Sequence, residues 1–225
     1  MKVGTDGVLL GAWAKTGGRM LDIGTGTGLI ALMLAQRSPD GIVDAVDIDD
    51  AAVSQARENI SASPFADRIN VMCCDIKTFR VDETSCYDAI VSNPPYFQSS
   101  LGCPDDQRHL ARHTDSLSFR ELFAVAERLL APDGTFSIII PFDCRKDILS
   151  EAALHGFLVC RECGVRTTPR KQPRRYLLTF YRGEGLEVSG EGLEVGDERS
   201  EEHILTDSDG NRSEWYANLT KDFYL

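Results

Sequence analysis

The residues best placed to do chemistry are Asn93, Pro94, Pro95 and Tyr96, which follow the apolar run YDAIVS. They sit where a buried parallel strand would end, and ligand chemistry in open α/β sheets collects at such ends. Two consecutive prolines remove two backbone N–H donors and fix φ, so the Pro94 carbonyl and the Asn93 side chain can be held as acceptors facing a pocket. Tyr96 adds a flat face. Two converging acceptors and a ring suit a planar guest bearing an NH2 group, either a nucleobase or a carboxamide. The plainer alternative is a rigid turn that only ends a strand.

Three further strand ends carry carboxylates. LDIGTGTGLI, from Leu21, reads as an apolar strand closed by Asp22, then a turn with Gly24, Gly26 and Gly28, then a helix. A nicotinamide fingerprint would need its third glycine at position 29, where this chain has Leu29, so that cofactor is disfavoured. The glycines still let the backbone approach a ligand at a helix N-terminus. Asp22 beside the turn would repel a pyrophosphate and attract an ammonium, which favours a cofactor bearing an amino acid. IVDAVDID places Asp47 where a carboxylate can accept both hydroxyls of a ribose. INVMCCD ends in Asp75, placed to accept from an adenine amine.

The elements that must position these residues alternate. Strands are expected near 19–23, 42–47, 69–74, 87–92, 135–141, 157–165 and 175–181, and helices near 27–36, 50–60, 118–130 and 145–155. Ser118 and Glu121 match a capping box, and Pro132-Asp133-Gly134 is expected to stop the helix that follows it. Alternation of this kind implies an α/β fold with a mostly parallel sheet and helices on both faces. VLLGAW can pack as a helix over the sheet, with Trp13 in the core.

A chain of 225 residues with 42% apolar content can bury one substantial core, and a single domain is expected. No apolar run approaches the ~20 residues of a membrane span, and the start lacks a signal-peptide layout. A cytoplasmic location is expected, without a membrane partner. Seven irregularly spaced cysteines suit a reducing compartment. Cys160 and Cys163 lie in an expected strand where positions i and i+3 face opposite sides, so no metal site is expected there. The net charge of −11 is segregated: −8 over residues 1–160, +6 over 161–182 and −9 over 183–225. The basic segment holds Arg166, Arg170, Lys171, Arg174 and Arg175 around two prolines, a loop able to meet phosphates. A solvated hairpin with idle charges is the alternative. Arg108, His109, Arg112 and His113 form a smaller basic group after the proline pair.

The D-x-G-x-G-x-G loop at Asp22–Gly28 together with Asn93-Pro94-Pro95-Tyr96 resembles the S-adenosylmethionine-dependent amino-methyltransferases. KVGTDGVLLGAW from Lys2 and KDFYL from Lys221 are similar to the bacterial tRNA (adenine-N6)-methyltransferases that act beside the anticodon of a valine tRNA. The resemblance covers residues 1–182 and about the last dozen. It implies a Rossmann-like sheet of seven strands in the order 3-2-1-4-5-7-6, the last strand in sequence antiparallel. It also implies S-adenosylmethionine as cofactor, held by Asp22, Gly24, Gly26, Gly28, Asp47, Asp75 and Thr5, with Asn93, Pro94 and Tyr96 catalytic. tRNA would be the partner, met by Arg170, Lys171, Arg174 and Arg175; the oligomeric state is left open, with a monomer as default. Alternatives are a glutamine-amide methyltransferase acting on release factors, a ribosomal guanine or DNA amine methyltransferase, and a non-catalytic cofactor-binding module that holds RNA. The expected organisation is a methyltransferase domain over 1–182, a mobile acidic insert over 183–205 containing the GEGLEV repeat, and a helical segment over 206–225 packed on the domain.

Overall fold

The computed structural model describes residues 4–79, 86–95, 117–183 and 200–223. Tyr96, the basic group between 108 and 113, and the GEGLEV repeat after Gly183 lie outside them. In chain order the elements are α1 (Thr5–Trp13), β1 (Arg19–Ile23), α2 (Leu29–Arg37), β2 (Ile42–Asp47), α3 (Asp50–Ser61), β3 (Ile69–Cys73) and β4 (Tyr87–Ser92). They continue with α4 (Phe119–Leu129), β5 (Leu130–Pro141), α5 (Arg145–Leu154), β6 (Phe157–Arg166), β7 (Arg175–Arg182), β8 (Ser200–Ile204) and α6 (Glu214–Thr220).

Strand side chains alternate between two cores, as a period of two requires when both faces are covered. Met20, Ala89, Val91, Ile139 and Leu177 pack with α1, α2 and α3 on one side. Leu21, Ile90, Ile138, Ile140 and Leu178 pack with α4 and α5 on the other. Phe123 of α4 anchors the second core, its ring centroid 5.2–5.4 Å from those of Phe136, Phe157 and Phe180. Trp13 is buried in the first core, beneath the Arg161 guanidinium 4.2 Å from its ring centroid.

The sheet order is β3-β2-β1-β4-β5-β7-β6-β8. The first seven strands follow the expected order, and β7 runs antiparallel to both β5 and β6. Among the described residues the sheet has eight strands rather than seven, and the last of these in sequence is β8, parallel to β6. Residues 200–204 therefore belong to a strand, although they fall in the stretch expected to be a mobile insert. Composition suggested disorder because SEEH is polar and acidic. Its carboxylates instead meet guanidiniums of the neighbouring strand, Glu201 with Arg161 and Glu202 with Arg166. After β8, α6 packs on the molecule through Leu219, which with Phe223 touches Val8, Ala12 and Met33.

A second difference concerns β5, which begins at Leu130 and runs through Pro132–Gly134. The register between β4 and β5 shifts between Tyr87 and Ala89. A proline at such an irregularity costs no ladder hydrogen bond, which is how it sits inside a strand. Gly134 is required there because a Cβ would lie 2.8 Å from the Tyr87 carbonyl oxygen.

Candidate active site

The C-terminal ends of β1 to β4 converge on a cleft of about 330 Å³, lined by Gly24, Gly26, Asp47, Asp75, Asn93 and Pro94 among others. Pockets for ligands of drug size run from ~300 to 1,000 Å³. The walls are tied together strand by strand. The Ser92 hydroxyl donates to the Ile23 carbonyl at 3.0 Å, joining the ends of β4 and β1. The N–H groups of Gly24 and Thr25 donate to the Val46 carbonyl at 2.8 and 3.0 Å, fastening the glycine loop to the end of β2.

Gly24 and Gly26 have φ of +72° and +56°, the left-handed region that glycine enters at no steric cost. A Cβ on either would meet nothing within 4 Å, so the loop presents bare backbone to open space. Gly28 is different. It also has positive φ, but a Cβ there would come within 3.1 Å of Ile60 on α3, and it does not line the cleft. Its place in the loop motif reflects helix packing, which spacing alone could not separate from ligand approach.

The Asp47 carboxylate is fixed by two backbone donors, Gly26 N–H at 2.8 Å and Asp49 N–H at 3.0 Å, one on each oxygen. Each oxygen keeps a second lone pair for a ligand. Asp75 accepts the Lys77 N–H at 2.9 Å, with the Lys77 ammonium 3.7 Å from its other oxygen. Asp22 lies one layer back from the cleft. Its side chain is fully buried between the loop and the first turn of α2, where one oxygen accepts the Thr25 hydroxyl at 2.6 Å and the Ala31 N–H at 3.2 Å. The other oxygen has no partner among the described residues. Burial raises its pKa to about 7; the bonds from Thr25 and Ala31 act in the opposite sense, and the charge of Asp47 adds to the rise.

Asn93 is half-buried, Pro94 buried and Pro95 exposed, and all three line the cleft. Thr5 does not. It is the exposed first residue of α1, which runs in the same direction as α2, since Gly7 abuts Leu29 and Gly11 abuts Met33. Thr5 therefore lies towards the first turn of α2. Among the basic residues, Arg170, Lys171 and Arg174 are exposed on the β6–β7 loop and form no ion pair with a described residue. Arg175 is bound to Asp6 of α1 at 2.7 Å. The lining also includes Ile48, Ile76 and Leu117, which motif reading missed. Ile48 is 57% exposed, and an isoleucine left in the open within the acidic stretch DIDD was the available signal.

These residues fit S-adenosylmethionine: fixed acceptors at Asp47 for a ribose, apolar Ile48 and Ile76 for a flat base, and glycine backbone with room beside it. The methyltransferase small domain family model matches residues 3–153. A tRNA1(Val) (adenine(37)-N6)-methyltransferase of Parabacteroides distasonis is 47% identical over all of this chain and 91% of its own length. Among solved structures, a predicted O-methyltransferase of Agrobacterium tumefaciens superposes with a TM-score of 0.68 at 16% identity, covering 96% of each chain. A glycopeptide N-methyltransferase in complex with S-adenosylmethionine gives 0.59 at 12% identity, covering 79% of this chain and 95% of its own. With that fold, that cleft and those relatives, the chain is an S-adenosylmethionine-dependent methyltransferase and belongs to the tRNA1(Val) (adenine(37)-N6)-methyltransferase family.

Proposed function

We propose that the chain methylates the exocyclic amine of an adenine in the anticodon loop of a valine tRNA, with Asn93 and Pro94 as the amine-binding pair. The observation that carries this reading is that Asn93 and Pro94 line the same cleft as Gly24, Gly26, Asp47 and Asp75. When bound, S-adenosylmethionine supplies an electrophilic methyl group on a good leaving group. Asp47 would hold the ribose hydroxyls, Asp75 the adenine amine, and Gly24 and Gly26 the amino-acid part, with the Asp22 carboxylate behind them.

The chain's own task is to present the nucleophile. An exocyclic amine is a poor one because its lone pair is delocalised into the ring. Asn93 Oδ1 and the Pro94 carbonyl accept its two N–H groups, which favours pyramidal nitrogen, frees the lone pair and stabilises the positive charge that develops there. A neutral acceptor suffices, since the proton can leave after transfer. Tyr96, which lies outside the described residues, would stack on the base. An adenine in a loop must be swung out of its stack, and single-stranded loops make that cheap. The six described cysteines are all free, and among the described residues no helix is long and apolar enough to cross a membrane. Both suit work on tRNA in the cytoplasm.

Nucleoside mass spectrometry of tRNA incubated with the purified protein and methyl donor tests this. N6-methyladenosine is the expected product; methylated guanosine alone, or no methylated nucleoside, would overturn the assignment.

A further inference from the structure

We propose that Phe142 is a stacking platform for the nucleotide beside the target base, and that the loop carrying Arg170, Lys171 and Arg174 holds the adjoining phosphates; this rests on the RNA reading above. Phe142 directly follows β5, whose residues Ile138, Ile139 and Ile140 are fully buried, yet it is 45% exposed. Its ring stacks on Tyr176, with centroids 5.9 Å apart and planes inclined by 28°. Tyr176 is in turn under the Arg145 guanidinium, 5.3 Å from its centroid. Arg145 is held by the buried Glu162 through bonds of 2.8 and 2.9 Å. The Phe142 N–H donates to the Arg174 carbonyl at 3.1 Å, joining the ring's backbone to the basic loop. The result is a pre-ordered aromatic, backed on one side and still open to solvent.

Its position follows from strand register. Ser92 of β4 pairs with Ile138 of β5. Asn93 is one residue past that pair and Phe142 four, so the ring's backbone stands roughly 10 Å further along the same edge, one strand over. Among the described residues Phe142 is the one large apolar side chain exposed at this edge beyond the cleft itself; the others stand at Ile42, Ile48 and Leu154. A protein partner would ask for a wider apolar patch. An exposed aromatic beside unpaired cations matches single-stranded nucleic acid, where bases stack and phosphates are neutralised. Asp143 and Asp147 follow Phe142 in sequence, so the phosphate path runs on the other side, over the basic loop.

The test is steady-state kinetics of the full chain on a tRNA transcript, with Phe142→Leu to keep apolar volume without a π face and Phe142→Trp to keep the face. Phe142→Leu is expected to raise KM for tRNA roughly 5- to 150-fold, the usual range for losing one stacked base, with the loss carried mainly by KM. Phe142→Trp should restore it, and the melting temperature and calorimetric affinity for the methyl donor report on fold integrity. A stem-loop with 2-aminopurine next to the target adenine should be quenched on binding the wild type and Phe142→Trp, but not Phe142→Leu. Normal wild-type turnover with KM and quenching unmoved in Phe142→Leu overturns the stacking role alone. Failure of the wild type to form N6-methyladenosine overturns the functional reading, and the stacking role with it.

Discussion

Asn93 and Asp22 act on charge in opposite ways. In the proposed mechanism Asn93 stays neutral and accepts, so its removal should cost turnover and leave the cofactor site intact. Asn93→Ala is expected to lower kcat on the order of 10²–10³-fold, the usual loss of one preorganised partner to a developing charge. Methyl-donor affinity measured by calorimetry should hold, and a variant retaining wild-type kcat would remove Asn93 from the mechanism. Asp22 is a carboxylate kept from water. Its ordinary pKa of 3.8 rises to about 7 in the folded chain, so between those values the unfolded chain sheds a proton that the folded one keeps. Asp22's own contribution to stability is therefore full below about pH 4 and is lost as pH rises to about 7, on the order of 4 kcal/mol in all. Asp22→Asn keeps an acceptor for Thr25 without the titration. Its melting temperature relative to wild type should climb from pH 4 to 7 and level off above; a difference independent of pH would show that Asp22 ionises normally. That Asp22 bears a carboxylate at a strand end was legible in the chain. That it lies one layer below the cleft was not, because burial is a property of what packs around it.

The glycine loop separates two uses of one residue type. A methyl at Gly26, which lines the cleft, would meet nothing within 4 Å, whereas one at Gly28 would press on Ile60 and Ala56 of α3. Both substitutions carry the backbone penalty of a non-glycine residue at positive φ, roughly 1 kcal/mol. Gly26→Ala should weaken the methyl donor at least about tenfold with a small drop in melting temperature. Gly28→Ala should do the reverse, losing stability first. Calorimetry and thermal melts on the pair decide it, and equal effects in both would mean that the loop acts as one unit. The capping box shows local chemistry carrying through to structure: the Ser118 hydroxyl accepts the Glu121 N–H, and the Glu121 side chain returns to the Ser118 N–H. The β5 start shows the opposite. A Pro-Asp-Gly run reads as a breaker, and only pairing with β4 turned it into strand.

Across the whole molecule, the net charge of −11 would repel a polyanion if it were spread evenly. It is not, and the fold refines the pattern further. Arg166 and Arg175 are paired with Glu202 and Asp6, while Arg170, Lys171 and Arg174 pair with no described carboxylate. Replacing those three with alanine should reduce the slope of log affinity for tRNA against log salt by about 2, since each phosphate contact on a single strand contributes about 0.7. Fluorescence anisotropy between 50 and 200 mM salt measures it, and an unchanged slope would mean that the loop does not meet the backbone of the RNA.

The amino-acid order alone determined what is local: apolar runs of strand length, a loop that needs glycine, carboxylates at successive strand ends, and two prolines that strip donors from a fourth. Tertiary structure alone decided which cations remain available, which glycines line the cleft, and that an acidic stretch becomes β8. These outcomes depend on partners such as Asp6 and Arg175, 169 positions apart in the chain. A side chain's charge is written into its own residue, but its neutralisation belongs to whatever the fold sets beside it.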